Sequence, residues 1–205
     1  MKPEKEASAA RELSATFTEI YEKNLWGDDQ SASGVGSRKE GAAVISTIEA
    51  LRLICQKYNI LSISDIPCGD FNWMPSFLSE FPQVRYTGFD VVKAIIERNQ
   101  SLHPQFSFEL LDITSESPPK ADLILCKDLL NHLTYAHIQQ AIVNMKLSGS
   151  TYLLASNNFG WENQDLARSG GSRHLDLLAA PFNFQRPIWD NIHYLGLWKL
   201  ADLKP

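Results

Sequence analysis

The sequence predicts a doubly wound α/β domain, a mainly parallel sheet with helices on both faces. Three observations carry this reading: short apolar runs recur between residues 61 and 155, amphipathic stretches separate most of them, and acidic or glycine-containing turns follow them. With 205 residues and 44% hydrophobic content, the chain can bury one sizeable core, so a single domain over 1–205 is expected. Residues 1–59 read as helices around a polar loop, 60–156 as the ligand-binding core, and 157–205 as a substrate-side loop with a closing strand.

The N-terminal third places Leu13, Phe17, Ile20 and Tyr21 at helical spacing, and then Val44, Ile48, Leu51 and Cys55. Between these helices, Trp26 to Ser37 is rich in glycine, serine and aspartate, which favour loops and caps. Strands are expected at Leu61 to Ile66, Arg85 to Phe89, Phe106 to Leu111, Asp122 to Cys126 and Tyr152 to Ala155. Helices are expected at Trp73 to Glu80, Val92 to Leu102 and Thr134 to Met145, the last with an apolar stripe of Ile138, Ala141, Ile142 and Met145. From Asn157 to Asp190 there is no clean periodicity. A structureless stretch of that length is uncommon in a compact domain, so it holds a short element or serves as a substrate-side lid. Tyr194 to Leu200 reads as the closing strand.

Composition excludes several classes. No apolar run approaches the ~20 residues of a membrane helix, and the charged start, Met1 to Glu6, lacks a secretory signal; a soluble cytoplasmic protein is expected. Cys55, Cys68 and Cys126 form no C-x-x-C pair and have no histidine at zinc-finger spacing, so reduced thiols and no structural metal are expected. A formal charge of -5 with scattered basic residues disfavours nucleic acid as a partner.

In a doubly wound sheet, ligands bind beyond the carboxyl ends of the strands, where strand order reverses. The first strand ends in Asp65-Ile66-Pro67-Cys68-Gly69, where one glycine admits close backbone approach and the following helix offers free N–H groups to a carboxylate. That suits the methionine end of S-adenosylmethionine. A dinucleotide would want G-x-G-x-x-G, and only Gly69 is present, which counts against a nicotinamide-dependent oxidoreductase. The second strand ends in Asp90, placed to accept from both ribose hydroxyls. After the third comes Asp112-Ile113, a carboxylate for the adenine amine and a side chain for the ring face.

The fourth strand runs into Lys127-Asp128-Leu129-Leu130-Asn131-His132. A hydroxyl acceptor is a poor nucleophile while protonated, so a base within reach assists by taking its proton. His132 is the first candidate and Asp128 the second; a hydrogen-bonded structural histidine is the competing reading. Trp26, Trp73, Phe159, Trp161, Phe182 and Trp189 are candidates to line a sugar or aromatic pocket, and Arg168, Arg173 and Arg186 to meet an acidic one.

These residues resemble a family of bacterial class I S-adenosylmethionine-dependent methyltransferases. The family pairs a W-x-x-x-x-S-x-S-G-x-G-S segment, here Trp26, Ser31, Ser33, Gly34, Gly36 and Ser37, with a D-x-P-C-G-D-F-x-W-M turn, here Asp65 to Met74. Similarity continues through Gly88-Phe89-Asp90, Leu111-Asp112-Ile113, Ala121 to Asp128, His132-Leu133 and Ala180-Pro181-Phe182. The resemblance implies the Rossmann-like, seven-stranded methyltransferase fold with an N-terminal helical extension. It also implies S-adenosylmethionine as cofactor, held by Asp65, Pro67, Cys68, Gly69, Trp73, Asp90, Asp112, Ile113 and Lys127, with Trp26, Ser33, Gly34 and Ser37 folding over it. Lys127 stands where an arginine is expected, and Arg173 to Leu177 matches only loosely. The expected activity is methyl transfer to a hydroxyl or carboxylate of a small molecule or glycan, with no membrane partner. The alternative is a non-catalytic domain of the same fold that binds a nucleoside or a partner protein.

Overall fold

Apolar runs bounded by turn residues dictate the sheet. The computed structural model describes residues 13–191 and 194–203, and the charged Met1 to Glu6 stretch lies outside them. The strands are β1 (Ser62–Asp65), β2 (Arg85–Asp90), β3 (Ser107–Leu110), β4 (Leu123–Cys126), β5 (Tyr152–Ser156), β6 (Trp189–Asp190) and β7 (Leu195–Lys199). Only β6 falls outside the predicted runs.

They form a 7-stranded sheet in the order β3-β2-β1-β4-β5-β7-β6. The first five strands pair in parallel, and β7 runs antiparallel to both β5 and β6. Strand order therefore reverses between β1 and β4, which opens a crevice at their carboxyl ends.

Alternation along the central strand sends side chains to two cores. In β4, Ile124 and Cys126 face one apolar cluster, while Leu123 and Leu125 face the other. On the first face pack α1, helical over 13–22 with Leu13, Phe17 and Ile20 buried, and α5 (Tyr135–Leu147). On the second pack α2 (Ala42–Tyr58) and α3 (Met74–Glu80). From α4 (Lys93–Leu102), Ile95 joins the first cluster and Ile96 the second. Local chemistry sets the helix ends. Thr134 caps α5 by accepting from the His137 N–H, and α2 stops at Asn59, which adopts the left-handed conformation that short polar side chains tolerate.

Two connections differ from the expected alternation. No helix links β3 to β4, and residues 157–188 contain neither helix nor strand. The second segment is nevertheless anchored, because Leu175, Leu177 and Phe184 are buried in the first core. Side-chain bonds replace a backbone ladder. The Asp176 carboxylate accepts from Asn157 Nδ2 at 3.1 Å and from the backbone N–H groups of Gly160 at 2.8 Å and Leu178 at 3.0 Å. Asn157 Oδ1 accepts from the Leu177 N–H, and Asn163 bonds Asp176 at both of that residue's backbone groups.

Among the described residues no helix is long and apolar enough to cross a membrane.

Candidate functional site

The crevice holds a cleft of two lobes that share Tyr21, Trp26, Pro67, Asp128 and His132. One lobe, about 500 Å³, is mostly apolar: Phe17, Val91, Leu111 and Ile113 surround Asp90 and Asp112. The second, about 480 Å³, is more polar and carries Ser33, Ser37, Asp65, Cys68, Gly69, Trp73 and Lys127. Every cofactor residue expected from sequence lines one lobe or the other except Gly34. Gly34 is buried behind Trp26, where an added Cβ would meet the Trp26 Cβ at 3.1 Å, so it supports the indole without facing the cleft.

The β1 turn is built around Gly69. Its φ of +53° lies in the left-handed region, its N–H donates to Asp90 Oδ2 at 3.1 Å, and its carbonyl accepts from Asn99 Nδ2 at 2.7 Å. A Cβ there would sit 2.2 Å from Ser33 Oγ. The helix expected at Trp73 to Glu80 begins at Met74, and Pro75 leaves one donor fewer in its first turn. The N-terminal loop packs on the turn that precedes it. Ser31 Oγ and the Ala32 N–H donate to the Asp70 carboxylate, Ser33 Oγ accepts from the Asp70 N–H at 3.1 Å, and Lys127 Nζ donates to the Gly36 carbonyl at 2.7 Å. Arg38 and Asp28 pair at 2.5 Å inside the same loop.

Burial shapes the acids. It pushes the Asp90 carboxyl up to about 6 against the backbone N–H groups of Val92 and Gly69, which favour the anion. Asp65 is pushed up to about 7, again by burial, although the Tyr86 hydroxyl donates to it at 2.8 Å. Both hold their proton more tightly folded than unfolded, where a carboxyl titrates near 3.8. Their stabilising contribution is therefore full at the acid end and is lost as pH rises through about 6 and 7. Asp65→Asn keeps an acceptor for Tyr86 and removes the titration. Its melting temperature is expected to rise relative to the parent between pH 6 and pH 8, as thermal melts at each pH would show.

Asp112 Oδ1 accepts from the Thr114 N–H and hydroxyl, but Oδ2 is buried and has no partner among the described residues. A buried acceptor left unpaired costs about 1–3 kcal/mol, so this oxygen is poised for a donor from a ligand.

At the end of β4, Asp128 lies on both lobes and is fully engaged. Burial alone would raise its carboxyl, but Lys127 at 2.7 Å, Tyr194 at 2.5 Å and Ser156 at 3.1 Å hold it below the usual range. That makes it a weak base. His132 differs: Nδ1 lies 2.6 Å from the Gly171 carbonyl, which only accepts, so Nδ1 carries the proton and Nε2 keeps its lone pair. Asn131 Nδ2 touches that lone pair at a long 3.3 Å, and burial lowers the imidazole's affinity for a second proton. The ring leans on Trp26 at 5.2 Å.

A third cavity of about 740 Å³ opens on the far side of Asp128, lined by Asn131, Ser156, Ser172, Arg173, His174 and Tyr194 among others. Sequence reading found Arg173 as a candidate but not this set. Of the aromatics proposed for an acceptor pocket, only Trp26 and Trp73 line a cavity described here. Trp161 stacks on His174 at 3.9 Å, Phe182 packs on Tyr135, and Trp189 belongs to β6.

The sequence matches no protein-family profile, and no curated protein matches it. Solved structures do resemble it in shape. Magnesium protoporphyrin IX methyltransferase ChlM from Synechocystis PCC 6803, solved with bound SAM, superposes with a TM-score of 0.58 at 12% identity, over 91% of this chain and 95% of that one. The methyltransferase domain of bacterial CtHen1-CN gives 0.54 at 15% identity over 75% of this chain and 97% of that one. The pyocyanin biosynthetic protein PhzM gives 0.55 at 14% identity, over 77% of this chain but 56% of its own length. These likenesses, joined to the strand order, establish that the chain adopts the Rossmann-like, seven-stranded fold of class I methyltransferases.

Proposed function

We propose that the protein transfers a methyl group from S-adenosylmethionine to a hydroxyl, or a carboxylate, of a small molecule or glycan. The observation that carries this reading is the unpartnered Asp112 Oδ2 in the same lobe as Asp90, beside the Gly69 turn. An adenosine supplies what those groups lack: an exocyclic amine for Asp112 and two hydroxyls for the remaining lone pairs of Asp90. Ile113 and Leu111 offer apolar faces to the base, while Lys127, Ser33 and Ser37 meet the charged amino-acid end. When bound, the cofactor supplies an activated methyl group on a sulfonium leaving group.

This chain's residues then position and deprotonate. Most of the rate comes from fixing the acceptor in line with the methyl group. The acceptor hydroxyl displaces the weakly held Asn131 amide from His132 Nε2 and gives that nitrogen its proton, while the Gly171 carbonyl holds the ring in the right tautomer. Asp128, ionised and tied to Lys127 and Tyr194, orients the wall between cleft and cavity. In this reading 1–59 covers the cofactor, 60–156 binds it and 157–205 faces the acceptor, all within one domain. Lobes and cavity converge on Asp128, which favours an enzyme over a nucleoside-binding module.

Calorimetric titration with S-adenosylhomocysteine and its inosine counterpart tests the assignment. The wild type is expected to prefer the adenosyl form by at least about tenfold, since the inosyl form replaces a donor with an acceptor facing a carboxylate. Asp112→Leu is expected to erase that preference. Absence of binding to either compound would reject the methyl-transfer reading.

A further inference from the structure

We infer that the cavity beyond Asp128 is a site for an oxyanion-bearing acceptor, with Arg173 as its anchor. This deepens the methyl-transfer reading and rests on it only for the word acceptor. Arg173 lines the cavity, yet its Nε, Nη1 and Nη2 are all buried and have no hydrogen-bond partner among the described residues. Its guanidinium is tucked over the Tyr135 ring, 5.3 Å from the centroid. A cation–π contact recovers only a fraction of what it takes to strip water from an unpaired cation.

The surrounding carboxylates do not resolve the imbalance. Asp165 lies near enough to influence Arg173 but forms no ion pair with it, and Asp165 Oδ1 accepts from the Tyr135 and Leu166 N–H groups. Asp128 is already neutralised by Lys127. Asp176 is held by backbone and asparagine donors. Among the described residues the cavity thus has a cation and no free anion to match it.

A second orphan lies on the same wall. Asn131 Oδ1 is buried without a partner among the described residues, and Asn131 is tied to Arg173 because its backbone carbonyl accepts from the Arg173 N–H at 3.3 Å. Five donors in a planar fork beside one bare acceptor complement a ligand that carries a carboxylate or phosphate and, next to it, a hydroxyl. The guanidinium turns from Tyr135 to form paired charge-assisted bonds with the oxyanion, and Asn131 Oδ1 receives the neighbouring O–H on binding, before that hydrogen turns to His132 Nε2 for the transfer. This places the ligand hydroxyl on the side of the cavity where Asn131 meets His132.

Salicylate is the probe, with salicylamide as its neutral counterpart and catechol monophosphate as the phosphate arm. Each is titrated by calorimetry into the full chain, with and without saturating S-adenosylhomocysteine. Salicylate or catechol monophosphate is expected to bind saturably, whichever is tighter naming the oxyanion, and salicylamide at least about tenfold more weakly than salicylate. Arg173→Gln should bring salicylate down to the level of salicylamide while leaving S-adenosylhomocysteine affinity within a few-fold. Arg173→Lys, which keeps the charge, should retain the preference for the anion and guards against a folding defect in the glutamine variant. Equal binding of salicylate and salicylamide, no saturable binding of either anion, or an indifferent Arg173→Gln variant would overturn the site. Anion binding that depends on Arg173 in a protein that ignores S-adenosylhomocysteine would uphold the cavity and reject the methyl-transfer reading.

Discussion

Gly69→Val is expected to reduce S-adenosylmethionine affinity by more than about a hundredfold, because two independent penalties fall on one position. The backbone there has φ +53°, which costs a non-glycine residue about 1–3 kcal/mol and a β-branched one more. The new Cβ also arrives 2.2 Å from Ser33 Oγ and 3.3 Å from the Tyr21 hydroxyl, so the loop that covers the turn must lift. Lifting it breaks the bonds from Ser31, Ala32 and Ser33 to Asp70 and disturbs the Asp90 carboxylate that Gly69 holds. Calorimetric titration measures the loss, and near-ultraviolet circular dichroism separates it from unfolding. Pairing Gly69→Ala with Ser33→Gly removes the collision but not the strain and should restore part of the affinity. Binding by Gly69→Val within tenfold of the wild type would show that the turn does not touch the ligand.

The second large effect concerns His132. His132→Ala is expected to lower kcat by about 10²–10⁴ with a cognate acceptor, the range that a positioned general base supplies. Cofactor affinity should move only a few-fold, since the lost contact is one wall shared with Trp26. Burial disfavours the imidazolium, so the acid limb of kcat/KM should lie below pH 6.5 and activity should be level above it. The alanine variant should lose that limb. Unchanged turnover in His132→Ala would leave the ring a structural role, spacing Trp26 from the Gly171 segment. Asp128→Asn is expected to behave differently: it unpairs a buried Lys127, so stability should fall together with activity.

The sheet was legible because its central strands, β1, β4 and β5, are largely buried on both faces and two of them, β4 and β5, read as apolar runs. Leu123 to Cys126 is unmistakable, whereas Trp189-Asp190 is two residues long and its place at the sheet edge depends on pairing with β7. The lining of the cleft was legible for a related reason: in this topology the ends of the parallel strands face the crevice, which brings Gly69, Asp90 and Asp112 together by connectivity. Gly34 packs behind Trp26 instead of lining the cleft, because a shared motif does not say which of its residues point inward. Tyr21 was visible only as a member of an apolar helix stripe, yet its hydroxyl meets Ser33 at 3.0 Å. The side proposed for the acceptor resisted reading for a physical reason. Asp128 and Tyr194 are 66 residues apart, and the segment between β5 and β6 has no periodicity because its order comes from asparagine and aspartate side chains.

That segment separates two jobs that many loops combine. Asn157, Asn163 and Asp176 fasten it to itself and to the core, while Ser172, Arg173 and His174 face the cavity. A change among the three cavity residues leaves the fastening bonds of Asp176 intact, so the selectivity of this wall can drift without a toll on the scaffold. In the proposed reading, a change of acceptor asks for no more than a few adjacent substitutions on this wall.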